Sequence, residues 1–278
     1  MNRCAENVDF SGKSCSVCGV GVSNYPIIDY LLKSGAIVVA RDIKPKSKLP
    51  HAEELERRGV KLICGEDYLD DIKEEYIFRA PGIRYDVPQF QRAVADGSVM
   101  TSEMDLFFKL CPCRIIGVTG SDGKTTTTTL IYKMLTESGL RAFIGGNIGA
   151  SLLPAVGEMT ENDIAVVELS SFQLHTMNQS PDIAVVTNIS PNHLNYHHSM
   201  EEYIDAKRNI YRYMNGGRLV LNERNEISRG MKYDAPDGTE VIYFAGDSGV
   251  YMRDGKIIVS ASSGGNGGRS DDAVLDAG

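Results

Sequence analysis

The chain has 278 residues and a formal net charge of -8, with 42% hydrophobic and 24% charged residues, a length that supports about two domains, each with its own core. No basic run exceeds a pair, which argues against a nucleic-acid groove and leaves small molecules or proteins as partners. Residues 1–10 are polar and lack the apolar core of a signal peptide, and no later stretch approaches the roughly 18 apolar residues of a membrane span, so a cytoplasmic location is expected.

An apolar run over residues 14–20 reads as a strand and ends in Gly19-Val-Gly-Val-Ser-Asn24. A helical pattern through Tyr30 to Lys33 follows, then a strand over 36–40 closed by Arg41-Asp42. Strand, glycine turn, helix, strand and acid form the opening of a Rossmann-like unit. Asn24 stands where the third glycine of a dinucleotide fingerprint belongs. The turn therefore either takes another nucleotide, through the Val22 and Ser23 amides and the strand-end Asp42, or is structural. Cys15 and Cys18 have C-x-x-C spacing without a second pair and are read as reduced core thiols.

The alternation continues with a helix over 51–58, strands over 60–64 and 76–79, the turn Ala80-Pro-Gly-Ile83, a helix over 89–95 and an apolar-acidic stretch over 104–110. This order defines the α/β class. Pro112 marks the expected boundary between a first domain, residues 1–110, and a second, residues 111–259. Residues 260–278 are glycine-dense and are expected to form a disordered tail.

The second domain opens with a strand over 114–118 running into Gly117-Val-Thr-Gly-Ser-Asp-Gly-Lys-Thr-Thr126. Gly120 and Gly123 let backbone N–H groups converge on phosphate oxygens, Lys124 adds a point charge, and the Thr125 hydroxyl can ligate Mg2+. Val118 occupies the position of the first glycine in the general P-loop pattern. The loop is thus a variant P-loop that takes ATP or GTP, the alternative being an ordinary glycine-rich turn. The run Thr125 to Thr129 favours the former, because massed hydroxyls at a helix start suit phosphate, metal or capping better than helix propensity. A strand over 141–144 then leads to Gly145-Gly-Asn-Ile-Gly149, where backbone or the Asn147 amide can meet a ligand. Glu168 ends an apolar strand over 163–168, the expected place for an acid that holds Mg2+. A strand over 183–187 precedes Asn188-Ile-Ser-Pro-Asn-His193, and a helix over 200–213 carries Lys207, which periodicity alone reads as a solvated surface lysine.

In order and spacing, Thr119-Gly-Ser-Asp-Gly-Lys-Thr-Thr126, Gly145-Gly-Asn-Ile-Gly149, Val167-Glu-Leu-Ser-Ser-Phe-Gln-Leu174, Thr187-Asn-Ile-Ser-Pro-Asn-His-Leu194 and Ser199-Met-Glu-Glu-Tyr-Ile-Asp-Ala-Lys207 resemble the Mur ligases of peptidoglycan synthesis. The Glu-Leu-Ser-Ser-Phe-Gln string and the Gly-Val-Gly-Val-Ser-Asn turn are most similar to the D-glutamate-adding branch. The resemblance runs from about residue 14 to about residue 259. It implies a Rossmann-like domain that binds a UDP-sugar, followed by a P-loop NTPase-like central domain. The implied activity is an ATP-dependent, ADP-producing carboxylate–amine ligase that adds D-glutamate to UDP-N-acetylmuramoyl-L-alanine through an acyl phosphate. That activity would serve cell-wall biogenesis, cell shape and cell division, and the family implies a monomer.

Carried over by motif, the resemblance places Gly120, Ser121, Asp122, Gly123, Lys124, Thr125 and Thr126 on ATP. It places Thr125 and Glu168 on the first of two Mg2+ ions and His193 at the second. Lys207 takes the place of a lysine that becomes carbamylated, which makes it an anionic ligand, so Lys124, Glu168, His193 and Lys207 form the catalytic set. Asn147, Ser170 and Gln173 would face the UDP-sugar, with Val22, Ser23, Asp42 and Gly82 on its uracil and diphosphate. The chain departs from the pattern at Asn195, where the family has the acid of His-x-Asp, and at Ala80, where a hydroxyl residue usually precedes Pro-Gly. It is also expected to lack the end of the central domain and a third, C-terminal Rossmann-like domain, and hence to bind ligands with little ligation. A non-catalytic nucleotide-binding fragment and a sibling ligase of the L-alanine-adding or folylpolyglutamate type are the alternatives.

Overall fold

The computed structural model describes residues 5–6, 8–21, 24–193 and 195–246, together with the backbone of 250–253, 256–259 and 273–276. The chain divides into two compact units. One comprises Met1–Arg114, Arg141–Ala165 and Phe172–Met177; the other comprises Ile115–Leu140, Val166–Ser171 and Asn178–Gly278. The division expected between residues 110 and 111 is continuous in sequence, whereas the first unit also takes in residues 141–165 and 172–177.

In the first unit the elements run β1 (Ser14–Cys18), α1 (Tyr25–Lys33), β2 (Ile37–Asp42), α2 (Ala52–Arg57), β3 (Lys61–Cys64), β4 (Tyr76–Arg79), α3 (Pro88–Ala95), β5 (Val99–Thr101) and α4 (Glu103–Leu110). The strands form a parallel sheet in the order β3-β2-β1-β4-β5. Chain order reverses on either side of β1, and the loops at the carboxyl ends of β1 and β4 therefore meet at a switch point, where α/β sheets place ligands. Gly19 is required there: its φ is +85°, and a Cβ would stand 2.8 Å from the Ala80 Cβ. Helix α1 starts at a proline-bearing turn and buries Ile27, Ile28 and Leu31 against Val17, Val38 and Phe78. Cys15 and Cys18 are free, buried strand residues whose thiols burial pushes up to about 12, as expected of core thiols.

The remaining elements are β6 (Arg114–Thr119), α5 (Lys124–Glu137), β7 (Ala142–Gly146), β8 (Ile164–Glu168), α6 (Ser171–Leu174), β9 (Ile183–Val186), α7 (Met200–Arg212), β10 (Arg218–Asn222), α8 (Glu226–Gly230), β11 (Glu240–Phe244), β12 (Val250–Arg253), β13 (Lys256–Val259) and β14 (Ala273–Asp276). Among the described residues the second sheet has nine strands in the order β14-β13-β12-β11-β10-β9-β6-β8-β7. The β6/β9, β9/β10 and β10/β11 pairs are parallel, while β12/β13 and β13/β14 are antiparallel. Helix α7 is set by Ser199, whose hydroxyl accepts from the Glu202 N–H at 3.1 Å, with Glu201 and Glu202 in the positive first turn. Its inward stripe is Tyr203, Ala206, Lys207 and Ile210, the i, i+3, i+4, i+7 spacing of a packed helix face. The tail expected to be disordered contains β14; its other residues, 260–272 and 277–278, lie outside the described residues.

Candidate active site

The phosphate loop is built by β6 and clamped from the chain that follows β9. Gly120 has φ +152°, and a Cβ on it would fall 1.8 Å from the Thr187 Oγ1, so this position accepts only glycine. The Ser121 N–H donates to the Asn188 carbonyl and the Asp122 N–H to the Asn188 Oδ1, each at 2.9 Å. The Thr187 hydroxyl donates to the Asp122 carbonyl at 2.6 Å, and the Ser121 hydroxyl to the Ser190 carbonyl at 2.9 Å. Gly123 (φ +76°) then turns the chain into α5. The first intrahelical bond is Thr127 N–H to Gly123 O, so the amides of residues 123–126 precede the ladder, as an anion cradle requires.

Lys124 arches back over the loop, its Nζ donating to the Gly120 and Ser121 carbonyls at 3.0 Å each. The Thr125 hydroxyl donates to the Glu168 carboxylate at 2.7 Å. Glu168 is buried at the end of β8, and Thr125 is exposed at the start of α5. A hydroxyl and a carboxylate side by side next to a phosphate cradle are the hard oxygen donors that Mg2+ prefers, so these two residues fit that ion.

Lys207 is not the solvated surface residue that periodicity suggests. It is 1% exposed, because it occupies the i+4 place of the inward stripe of α7. Its Nζ donates to the Gly120 carbonyl at 2.8 Å and the Thr119 hydroxyl at 3.3 Å, and lies 4.8 Å from the Tyr203 ring centroid. Burial foremost, then the charge of Lys124, pull its amine down to about 7, against an opposing pull from Glu168. An ammonium does not ligate a metal; a neutral amine in this position can be converted to an anionic ligand. Tyr203 and Ser121, whose hydroxyls lie 2.9 Å apart, join α7 to the loop.

His193 sits after β9 with φ +55°, its backbone N–H donating to the Asn192 side chain at 2.8 Å. Partial burial, and then the charges of Lys207 and Lys124, lower its imidazole pKa and favour the neutral, ligating form. Lys124, Thr125, Glu168, Lys207 and His193 thus belong to one unit and, through these bonds and fields, to one site. Asn195 is exposed. Sequence reasoning missed the clamp from Thr187, Asn188 and Ser190 and the role of Tyr203; the Thr-Asn-Ile-Ser string was the available signal for the clamp.

In the first unit, both Asp42 oxygens brace backbone, accepting from the Val20 N–H at 2.7 Å and the Lys44 N–H at 2.9 Å. Val22 and Ser23 lie outside the described residues. Gly82 is exposed, and a Cβ there would meet nothing within 4 Å. A pocket of about 30 Å³ is lined by Pro81, Glu103, Gly146, Gly149 and Gln173 among others, which puts the neighbours of Gly82 and of Asn147 around one space with Gln173. Asn147 itself is exposed on the loop, and Ser170 is buried in the other unit. Glu103, whose carboxyl is pushed up by burial, accepts from the Ser151 hydroxyl at 2.6 Å and ties the glycine loop to the start of α4.

A phosphate loop with a Thr–carboxylate pair, following a Rossmann-like unit, defines a nucleotide-dependent α/β protein. Residues 118–267 match the family described as the Mur ligase middle domain, and the chain belongs to the Mur ligase family. It is 47% identical over 253 residues to the UDP-N-acetylmuramoylalanine–D-glutamate ligase of Acetivibrio thermocellus, covering 88% of this chain and 54% of that protein. With the same-named ligase of Clostridium kluyveri it is 51% identical over 226 residues, 80% of this chain and 49% of the relative. The chain spans about half the length of these curated relatives. The fold also resembles the crystal structure of UDP-N-acetylmuramate:L-alanyl-gamma-D-glutamyl-meso-diaminopimelate ligase from Neisseria meningitides, with a TM-score of 0.58 at 18% identity over 90% of this chain and 84% of that one.

Proposed function

We propose that this chain supplies the sugar-nucleotide and ATP sites of an ATP-dependent ligase that adds D-glutamate to UDP-N-acetylmuramoyl-L-alanine in peptidoglycan synthesis. The observation that carries this reading is the 2.7 Å Thr125–Glu168 pair lying at the same phosphate loop as Lys124 and the buried Lys207. The names of the relatives supply the substrate pair.

In this reading the amides of residues 123–126 hold the β- and γ-phosphates of ATP, and Lys124 leaves its loop carbonyls to neutralise charge on the phosphoryl group in transfer. Thr125 and Glu168 hold one Mg2+; His193 and Lys207, the latter as a carbamate, hold a second. Bound there, Mg2+ supplies the positive charge that lets an anionic substrate carboxylate approach ATP. The substrate carboxylate attacks the γ-phosphorus to give an acyl phosphate and ADP. The amine of D-glutamate then attacks the acyl carbon, and phosphate leaves as the amide forms. Asn147 and Gln173 orient the UDP-sugar, and Asp42, Gly82, Val22 and Ser23 take its nucleotide end, so positioning accounts for much of the acceleration.

Calorimetric titration tests the reading directly. The chain is expected to bind UDP-N-acetylmuramoyl-L-alanine and ATP–Mg2+, and Lys124→Ala to lose the second while keeping the first. No binding of the UDP-sugar would sink the proposal. Phosphate release requiring both the UDP-sugar and D-glutamate, once the half of a relative not spanned by this chain is supplied in trans, separates a ligase from a binding-only fragment.

A further inference from the structure

Arg79 closes β4 and is 1% exposed. Its Nη1 donates to three carbonyls of one turn, those of Ala80 at 3.2 Å, Pro81 at 3.0 Å and Ile83 at 2.5 Å. Its Nη2 donates elsewhere, to the Phe172 carbonyl at 3.3 Å and the Thr176 hydroxyl at 3.0 Å. The first set of acceptors surrounds Gly82, and the second brackets Gln173. Both segments belong to the first unit, and Pro81 and Gln173 line the same pocket.

Burying a guanidinium is unfavourable unless its donors are satisfied, and a planar fork can reach acceptors on two separate segments at once. Lysine carries the same charge on a single nitrogen and cannot span them. The charge of Arg79 also acts on the buried Asp105, and its bonds to these two segments are additional to that interaction.

We infer that Arg79 is a positioning residue for the sugar-nucleotide pocket, holding the Ala80–Ile83 turn against α6 so that Gly82 and Gln173 are presented together. The inference rests on the reading of that pocket given under Proposed function. Its action is geometric: the guanidinium contacts the backbone that carries the binding residues, and the substrate is bound by those residues.

The test compares wild type with Arg79→Lys and Thr176→Val, the second removing one acceptor while keeping shape. Each protein is titrated with UDP-N-acetylmuramoyl-L-alanine and, separately, with ATP–Mg2+, and its Tm is recorded. Arg79→Lys is expected to weaken the UDP-sugar about tenfold or more, and Thr176→Val about threefold to tenfold, the size of one hydrogen bond. ATP–Mg2+ affinity is expected to stay at the wild-type value in both. Wild-type UDP-sugar affinity in both variants would overturn the inference, as would a parallel loss of ATP affinity, which would mark a general structural role. Failure of wild type itself to bind the UDP-sugar would instead overturn the functional reading beneath it.

Discussion

The Lys207 amine lies 2.8 Å from the Gly120 carbonyl, so a helix lysine and the tightest residue of the phosphate loop share a hydrogen bond. With the amine near 7, Lys207 is largely neutral just above neutrality. Only the neutral amine reacts with carbon dioxide. With labelled bicarbonate and Mg2+, a carbamate carbon signal is expected at about pH 8, lost in Lys207→Met and on acidification to about pH 6. A wild-type sample without that signal at about pH 8 would remove Lys207 from the proposed metal site.

The same shift has a stability consequence. Between about 7 and the ordinary lysine value of 10.5 the folded state binds fewer protons at this position than the unfolded state, so stability rises with pH across that window and the penalty is full below it. Lys207→Met is therefore expected to raise Tm most near pH 6, with the gain shrinking towards pH 10. A gain that grows with pH would contradict the assignment.

Thr125→Val and Glu168→Gln should separate metal binding from stability. Both remove an oxygen donor or its charge and are expected to weaken Mg2+-dependent ATP binding by about tenfold or more. Thr125→Val also strips a hydrogen bond from a buried carboxylate and should lower stability by about 1–3 kcal/mol, whereas Glu168→Gln can still accept the threonine proton. A Thr125→Val Tm equal to that of wild type would show that the pair does not support the fold.

Two glycines of the loop should respond differently to alanine. At Gly120 the new Cβ meets the Thr187 hydroxyl at 1.8 Å, and at Gly123 it meets open space with φ +76°. Gly123→Ala is expected to cost about 1–2 kcal/mol from the left-handed backbone alone. Gly120→Ala adds a clash that must displace Thr187, so its loss should be larger by about 1–3 kcal/mol. Denaturant unfolding of the two variants decides it.

Asp105 provides a second pH signature, in the first unit. Burial pushes its carboxyl up to about 6 despite the Ser102 hydroxyl 2.6 Å away and the nearby charge of Arg79. Between about 3.8 and 6 the folded state binds the extra proton, so this residue's contribution falls as pH rises through that window. Asp105→Asn is expected to raise the unfolding free energy at pH 7 by on the order of 1–3 kcal/mol, and to lose that gain near pH 4. A destabilised variant at pH 7 would show that the charged form is needed there.

Much of the first unit was legible because its signals are local. A buried parallel strand, a glycine turn and an acid follow one another within about thirty residues, and the observed elements fall where those patterns stand. Strands β5, β10 and β11 were not read from the sequence; β5 has only three residues, whereas β10 and β11 are as long as β8 and carry the apolar runs Leu219–Leu221 and Val241–Phe244, but no motif of the family resemblance follows them to draw attention. Lys207 shows the opposite failure. Its helix was evident, and its stripe Tyr203, Ala206, Lys207, Ile210 was available in the sequence, but a lysine inside an apolar stripe counts as a break in the pattern rather than as a buried group.

The sequence by itself determined the α/β order, the glycine–lysine–threonine loop and the strand-end Glu168, because each is written in neighbouring residues whose backbone and charge properties act over a few ångströms. Only the tertiary structure decided that Thr187 to Ser190 clamp the loop, that Arg79 joins residues 80–83 to 172–176, and that Lys207 is dry and shifted. Those properties arise from desolvation and from hydrogen bonds between segments tens of residues apart, and they exist only once packing has removed the water between them.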